Sequence, residues 1–406
     1  MTIFKRILLF LIAAWMTGCH SWLAEERPDP VLLISIDGFK PAYLDRMETP
    51  HLDQLAASGV MAEALIPVFP TKTFPTHYSM VTGLYPEQTG VISNTMADPD
   101  LEERFRLSNQ AAITDGRWYG GEPIWVTAEK QGRRSATLFW PGSEAEINGI
   151  RPDRWMPYDG GLSYTARVDS VVAWLDEPDE SRPDLLTLYF HSVDSRAHRY
   201  GTDSDEVRQA VEDVDSQIGY LIHRLQEIGR WPDINLLITS DHGMVDLSEE
   251  RVVFLDDIID LKSVDVIDWT PVAMIQPKEG MADEVYQQLK AAEMHYQVYR
   301  KAEIPERFRL RNHQRTPEIV VLADLGYTLT SHSYYSWRGI MGAAHGYDNR
   351  HPEMHGIFLA TGPAFRSGYQ FGRLESIHLY ALMCRLLRVE PAPNEGSFEA
   401  VQPLLQ

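Results

Sequence analysis

Residues 31–37 read VLLISID, a run of Val, Leu and Ile broken only by Ser35 and closed by an acid. A strand that is apolar at consecutive rather than alternate positions hides both of its faces. The pattern recurs in LLTLYF (185–190), NLLITS (235–240) and GIFLATG (356–362). Between these runs the spacing is helical. TPHLDQLAASG (49–59) has Thr49 as N-cap, Pro50 in the first turn and Gly59 past the end, and GEPIWVTAEKQG (121–132) repeats that punctuation. Val168, Val171, Val172 and Leu175 mark another helix. A longer one begins near Ser204 and buries Val207, Val211, Val214, Ile218, Leu221, Leu225 and Ile228. Buried strands separated by amphipathic helices predict an α/β fold: a central, mostly parallel sheet with helices on both faces.

The character changes between about 250 and 340. PVAMIQP (271–277), the helix-like ADEVYQQLKAAE (282–293) and EIVVLAD (318–324) read as a small α+β cap inserted into the larger fold. The expected division is a catalytic core from 30–250 and 340–400, with the inserted cap at 251–339.

The chain has 406 residues, 44% hydrophobic, with a formal net charge of −21. Such a charge argues against a nucleic-acid-binding surface, which needs Lys/Arg stripes. At the N-terminus, Lys5 and Arg6 precede an apolar run over 7–16, too short to span a membrane comfortably. Met16-Thr17-Gly18-Cys19 then resembles a bacterial lipobox. The expectation is a lipoprotein-type signal peptide over 1–18, lipid on Cys19, a tether over 19–29, and a position in the periplasm or on the periplasmic face of a membrane. The other cysteine, Cys384, lies in a helical pattern as a buried thiol, so no intrachain disulfide is expected once Cys19 is acylated.

Three core strands run into acids at their carboxyl ends: Asp37, Asp194 at the end of LLTLYFHSVD, and Asp241 followed by His242. Ligands bind at that edge of an open α/β sheet. Asp194 and His198 are one helical turn apart, and His345 sits beside Gly346 in AAHGYDN. Together these acids and imidazoles form two groups of three ligands of the kinds that suit zinc. In PTKTFPTHYSMVTG (70–83), Pro75 suits a first helical turn and Gly83 a stop. Thr73 is then either an N-cap or a nucleophile at the positive end of a helix.

With these residues in view, the chain resembles a bacterial member of the nucleotide pyrophosphatase/phosphodiesterase family, within the alkaline phosphatase superfamily. The resemblance rests on ISIDGF, PTKTFPTHYSMVTGLYPEQTGVISNTM, GGEPIWVTAEKQG, WPGSEAEINGIRPD, LYFHSVDSRAHRYG, TSDHGM and AHGYDN, and runs from about residue 30 to 395. It implies an alkaline-phosphatase-like sheet and two Zn²⁺ per chain. Asp37, Asp241 and His242 would hold one ion, which also meets the Thr73 oxygen, and Asp194, His198 and His345 the other. It implies Thr73 as nucleophile through a phospho-threonine intermediate, and Asn94 as donor to a phosphoryl oxygen. Thr76 stands where the family usually has asparagine.

One basic residue, Lys72, adjoins Thr73, whereas a phosphate monoester carries roughly one further charge to be met, its second pKa being about 6. A singly charged diester or phosphoanhydride fits better. By the resemblance, Phe74 and Tyr158 sandwich a nucleobase; read alone, Phe74 is equally a core residue and Tyr158 a turn aromatic. Trp140 and Trp155 read as packing. The expected function is release of nucleoside 5′-monophosphates from nucleotides. The alternatives are a choline- or glycero-phosphodiesterase of the same family and a non-catalytic metal-binding lipoprotein. Residues 73–77, TFPTH, lack the Cys/Ser-x-Pro-x-Arg pattern of sulfatases.

Overall fold

The structure, a computed structural model, describes residues 27–406. The expected signal peptide, Cys19 and most of the expected tether therefore lie outside the described residues.

The central sheet has eight strands, in the order Tyr369–Glu375, Val60–Ile66, Phe358–Thr361, Asn235–Thr239, Val31–Ile36, Leu185–Phe190, Ser135–Leu138 and Arg154–Met156. All neighbours pair in parallel except at Phe358–Thr361, which runs antiparallel to both of its partners. The fold is thus the mostly parallel α/β sheet expected, with one reversed strand. The run at 356–362 gives no sign of that reversal, because strand direction is set by the connection and not by the strand's own residues.

Burial on two faces explains the continuous apolar runs. Val31 and Leu33 enter one core while Leu32, Ile34 and Ile36 enter the other. The helices Thr73–Thr82, Ile124–Lys130 and His378–Leu387 supply the first core. Pro50–Ser58, Tyr164–Leu175 and Asp205–Glu227 supply the second. Ser204 caps the long helix, its Oγ accepting from the Val207 N–H at 3.3 Å, and the expected apolar stripe faces the sheet.

Within that stripe lies Asp215, which is also buried. Its carboxylate accepts from the backbone N–H groups of Leu52 at 2.8 Å and His51 at 3.2 Å. It therefore caps the Pro50–Ser58 helix from outside, while the Thr49 hydroxyl turns to Asp53. Thr49 occupies the N-cap position as expected, but Asp215 supplies the acceptor.

Residues 264–323 carry a separate antiparallel sheet, with strands Val264–Asp268, Val272–Pro277, Ile319–Ala323 and Tyr296–Arg300 in spatial order. The helix Ala282–Ala291 covers it through Val285 and Leu289, and the sheet has its own apolar cluster. No helix among the described residues is long and apolar enough to cross a membrane.

Candidate active site

The strands ending at Thr239, Ile36 and Phe190 are the three central neighbours of the sheet. Their register aligns Ser35 with both Thr239 and Tyr189, so all three chains leave the sheet at one level. Asp37 and the Asp241-His242 pair sit directly on these ends, and Asp194 lies in the first turn of the helix Ser192–Tyr200. Gly38 makes the convergence possible. Its φ is +70°, and a Cβ there would stand 2.9 Å from the Asp194 Cα. His345 arrives from a distant segment, beside the short strand Ala343–Ala344 that pairs with Val245–Asp246.

One of the two expected ligand sets comes together as read, and the residues of the other are divided between two groupings. Asp194, His198 and His345 converge as one group. Asp37 converges with Asp194 and His242, and also with His77 and Asp241. His242 Nε2 lies 3.0 Å from Asp241 Oδ2 and 3.4 Å from Asp37 Oδ1. His198 Nε2 and His345 Nε2 lie 3.3 and 3.7 Å from Asp194 Oδ1. The two sets therefore adjoin, and the His242 and His345 rings stack with centroids 3.5 Å apart.

The hydrogen bonds prepare these atoms for cations. His198, His242 and His345 each donate Nδ1–H to a backbone carbonyl, of Ala343, Gly243 and Thr71 respectively, at 2.8–2.9 Å. A carbonyl only accepts, so each ring turns its Nε2 lone pair toward the carboxylates. Asp37 Oδ2 accepts from the Tyr189 hydroxyl and Asp241 Oδ1 from the Gly38 N–H. Their other oxygens, with Asp194 Oδ1 and His242 Nε2, are buried with no hydrogen-bond partner. Leaving buried polar atoms unmade is costly. The orphans sit together, and the carboxylate–imidazole set is one that suits zinc.

The electrostatics point the same way. Burial, then the Asp241 and Asp194 charges, push the Asp37 carboxyl well above its usual range. Burial works to raise Asp194, but His198 and then His345 outweigh it and hold that carboxyl at about 2. Burial likewise opposes ionisation of Asp241, and His242 and His77 overcome it. Burial and the neighbouring His242 keep His345 well below an ordinary imidazole, hence neutral. Three acids crowded this closely are relieved by divalent charge.

His77 was not legible as part of the site. It is fully buried, with Nδ1 donating to the Thr73 carbonyl at 2.8 Å and Nε2 bonded to Ser35 Oγ at 2.8 Å. Its Nδ1 also lies 3.4 Å from Asp241 Oδ2. Both ring nitrogens are committed, so His77 offers no free lone pair to an ion. It ties the first helical turn to the sheet. The only signal in the sequence was its place four residues after Thr73.

Thr73 is the first residue of the helix Thr73–Thr82, with Lys72 at the N-cap position. The cap reading of Thr73 is therefore excluded by position. Its turn is completed by Asn94, whose Oδ1 accepts from the Phe74 N–H at 2.9 Å. With the oxygen so used, the Asn94 amide N–H₂ remains as donor. Lys72 points away and is buried against Asp268 at 2.6 Å. Thr76 is buried, and its hydroxyl has no partner. A cavity of about 240 Å³ opens beside Thr73, lined by Asp37, Phe74, Tyr158, Tyr189 and Asp194 among others. Phe74 leans edge-on to Phe105, whereas Tyr158 is 47% exposed. Trp140 is buried as expected, yet it also lines this cavity.

Residues 31–348 match the family described as type I phosphodiesterase / nucleotide pyrophosphatase. The chain is 38% identical over 406 residues to the bis(5′-adenosyl)-triphosphatase ENPP4 of Bos taurus, covering 99% of this chain and 87% of that protein. It is 37% identical over 401 residues to ectonucleotide pyrophosphatase/phosphodiesterase family member 5 of Homo sapiens, covering 99% and 83%. A solved structure of murine ectonucleotide pyrophosphatase/phosphodiesterase 5, an inactive threonine-to-alanine variant in complex with AMP, superposes with a TM-score of 0.89. That match has 39% identity and covers 94% of this chain and 100% of the other. Sequence, fold and the strand-end cluster agree: the chain belongs to the type I phosphodiesterase/nucleotide pyrophosphatase family, and the relatives named above are nucleotide phosphodiester and phosphoanhydride hydrolases.

Proposed function

We propose that the protein is a two-zinc hydrolase that releases nucleoside 5′-monophosphates from nucleotide phosphodiesters or phosphoanhydrides. The observation that carries this reading is one juxtaposition: orphaned, buried carboxylate and imidazole atoms beside a threonine on a helix N-terminus, opening into an aromatic cavity. Asp37, Asp241 and His242 would hold one ion, and Asp194, His198 and His345 the other. Bound there, the cations supply Lewis acidity at the phosphoryl oxygens and lower the cost of an alkoxide.

The chain's own residues do the rest. Thr73 Oγ1 attacks phosphorus, and its proton passes through solvent to the leaving group. The bond to the leaving group breaks on the opposite side, and phospho-threonine forms. Water then attacks that phosphorus: its hydroxyl joins the departing 5′-monophosphate, the Thr73–phosphorus bond breaks, and its other proton restores the Thr73 hydroxyl. The helix N-terminus favours the anionic oxygen. His77, holding the Thr73 carbonyl, fixes where that oxygen starts. Asn94 offers its amide N–H₂ to a phosphoryl oxygen, and Phe74 and Tyr158 receive the base. Of this cavity's acids outside the ligand set, Glu144 has both oxygens occupied, by Gln110 and the Tyr158 N–H.

Chromatographic profiling of products from a nucleotide panel tests the reading. Nucleoside 5′-monophosphate should accumulate from anhydrides and diesters alike; release of inorganic phosphate from monoesters, with diesters untouched, would overturn it.

The same reading extends to the cell and the chain's organisation. The basic, apolar and Met16-Thr17-Gly18-Cys19 segments support a bacterial lipoprotein, acylated at Cys19 and held at the periplasmic face of a membrane. Mass spectrometry of the mature N-terminus tests it: an unmodified Cys19 would refute it. The separate antiparallel sheet and its own cluster support an inserted cap over 251–339 within a core of 30–250 and 340–400.

A further inference from the structure

The inserted antiparallel sheet reaches the reaction centre through one carboxylate. Asp268 ends the strand Val264–Asp268. Its Oδ2 accepts from Lys72 Nζ at 2.6 Å and also from the Ser93 hydroxyl. Lys72 directly precedes Thr73, and Ser93 directly precedes Asn94. A single oxygen thus joins the two segments whose side chains are assigned to phosphorus and to a phosphoryl oxygen. Asn94 Oδ1 closes the circuit by accepting from the Phe74 N–H at 2.9 Å.

A bulge aims that carboxylate. Val266 pairs with Ile275 and Asp268 with Met274, so Ile267 is the extra residue. Val264, Val266 and Ile275 face the inserted sheet's own cluster, whereas Ile267 and Met274 belong to the first core of the central fold. Side chains two apart share a face in a regular strand, so without the bulge Asp268 would follow Val266 into the insert. With it, Asp268 takes the face of Met274. Its Oδ1 accepts from the Trp269 N–H at 2.9 Å, which fixes the plane of the carboxylate. Two ion pairs dock the insert on the hairpin that follows Asn94: Arg104 with Asp265, and Asp98 with Arg315 at 2.5 Å.

Stability alone is a poor reason for this arrangement. The Lys72 and Asp268 side chains are only 7% and 16% exposed. Charges taken so far from water gain little net energy from pairing, and apolar residues of the same volume hold a fold as well. What an ion pair adds is direction, because charge-assisted hydrogen bonds are short and aligned. The Lys72 stem is confined too. A Cβ on Gly346, beside His345, would stand 3.2 Å from Lys72 Cε and 2.8 Å from Pro271 Cδ.

We propose that Asp268 is a positioning residue, which sets the spacing between the Thr73 oxygen and the Asn94 amide from the inserted sheet. The proposal rests on the nucleotide hydrolase reading above and gives the insert a part in it. Asp268 itself touches no reacting atom. Cutting its arms leaves the base cavity and the six acid and imidazole ligands in place, so ground-state binding survives. The loss falls on the step in which both groups must meet one phosphoryl centre.

Kinetics of the zinc-loaded protein on the p-nitrophenyl ester of thymidine 5′-monophosphate test this. Asp268→Asn alone leaves the Lys72 ammonium buried without a counter-charge and endangers folding. Two other variants avoid that. Ser93→Ala cuts the arm to Asn94, and Lys72→Met combined with Asp268→Asn removes both charges together while keeping their shapes. Each should lower kcat about tenfold with KM within about twofold, at unchanged zinc content by elemental analysis and with the fold intact by thermal melt. The Ser93→Ala loss should vanish in an Asn94→Ala background, because that arm then positions nothing. Normal kcat in either variant, a loss carried by KM, or an equal Ser93→Ala loss with and without the Asn94 amide would overturn the clamp and leave the hydrolase reading standing. No hydrolysis of the ester by the unmodified protein would overturn both.

Discussion

Removing the Tyr158 ring separates base recognition from chemistry more cleanly than any other single change. Tyr158 is 47% exposed and lines the cavity beside Thr73. Its ring meets Phe139 edge-on at 5.3 Å, with Tyr189 and His191 beyond 6 Å. Its backbone N–H donates to Glu144, a contact that alanine keeps. Tyr158→Ala should therefore leave the fold intact and remove mainly a stacking surface. Stacking a base on an aromatic is worth roughly 1–3 kcal/mol, which corresponds to about five- to 150-fold in rate. Phe74 remains, and solvent already reaches half of Tyr158, so the lower part of that range applies: about tenfold in kcat/KM. The assay compares a nucleotide aryl ester with an alkyl phosphodiester that has no base, with a thermal melt as control for folding. Loss on the nucleotide alone, chiefly through KM, is the expected result. A variant that hydrolyses the nucleotide normally, or loses equally on both, would refute the base-sandwich assignment. Phe74→Ala is the weaker experiment. Phe74 adjoins Thr73, and its N–H is held by Asn94.

Thr73→Ala should keep both metals, by elemental analysis, and lose turnover, because the six other ligand residues remain; a near-normal rate would remove the covalent route. Chelation should abolish activity, with Zn²⁺ restoring it better than Mg²⁺, since half of the six side-chain ligands are imidazoles. Metal retention should fall with acid. Burial opposes protonation of His198 and His242, but Asp194 and Asp241 respectively raise these imidazoles above 6.5, so protons and cations compete for the same Nε2 atoms. Affinity therefore climbs as pH rises and these rings deprotonate, and content after dialysis should drop between pH 7 and 5; constant content would count against histidine ligation. Arg315→Ala should cost about 3–5 kcal/mol in chemical denaturation, because it removes the cation that meets buried Asp98 at 2.5 Å and leaves that charge only the Asp100 and Leu101 N–H groups and the Gln314 amide. The same change frees the carbonyls of Gly90, Trp118 and Arg117, and a loss below about 1 kcal/mol would refute this accounting.

Much of this protein is written locally. Period and punctuation determine that 31–37, 185–190 and 235–240 are doubly buried strands, that 205–227 is a helix with one apolar face, and that acids stand on three strand ends. The family resemblance of the motifs likewise implies Thr73, Asn94 and the six acid and imidazole residues. The rest depends on pairing between distant segments, which no local pattern encodes. Only the sheet order makes those three strand ends neighbours, and only the tertiary fold brings His345 against Asp194 across 151 positions, the difference of their numbers. The roles of His77, Tyr189, Asp215 and Gly38 were illegible for the same reason. A buried polar side chain takes its meaning from what it bonds, and each of these bonds or contacts joins segments far apart in the chain.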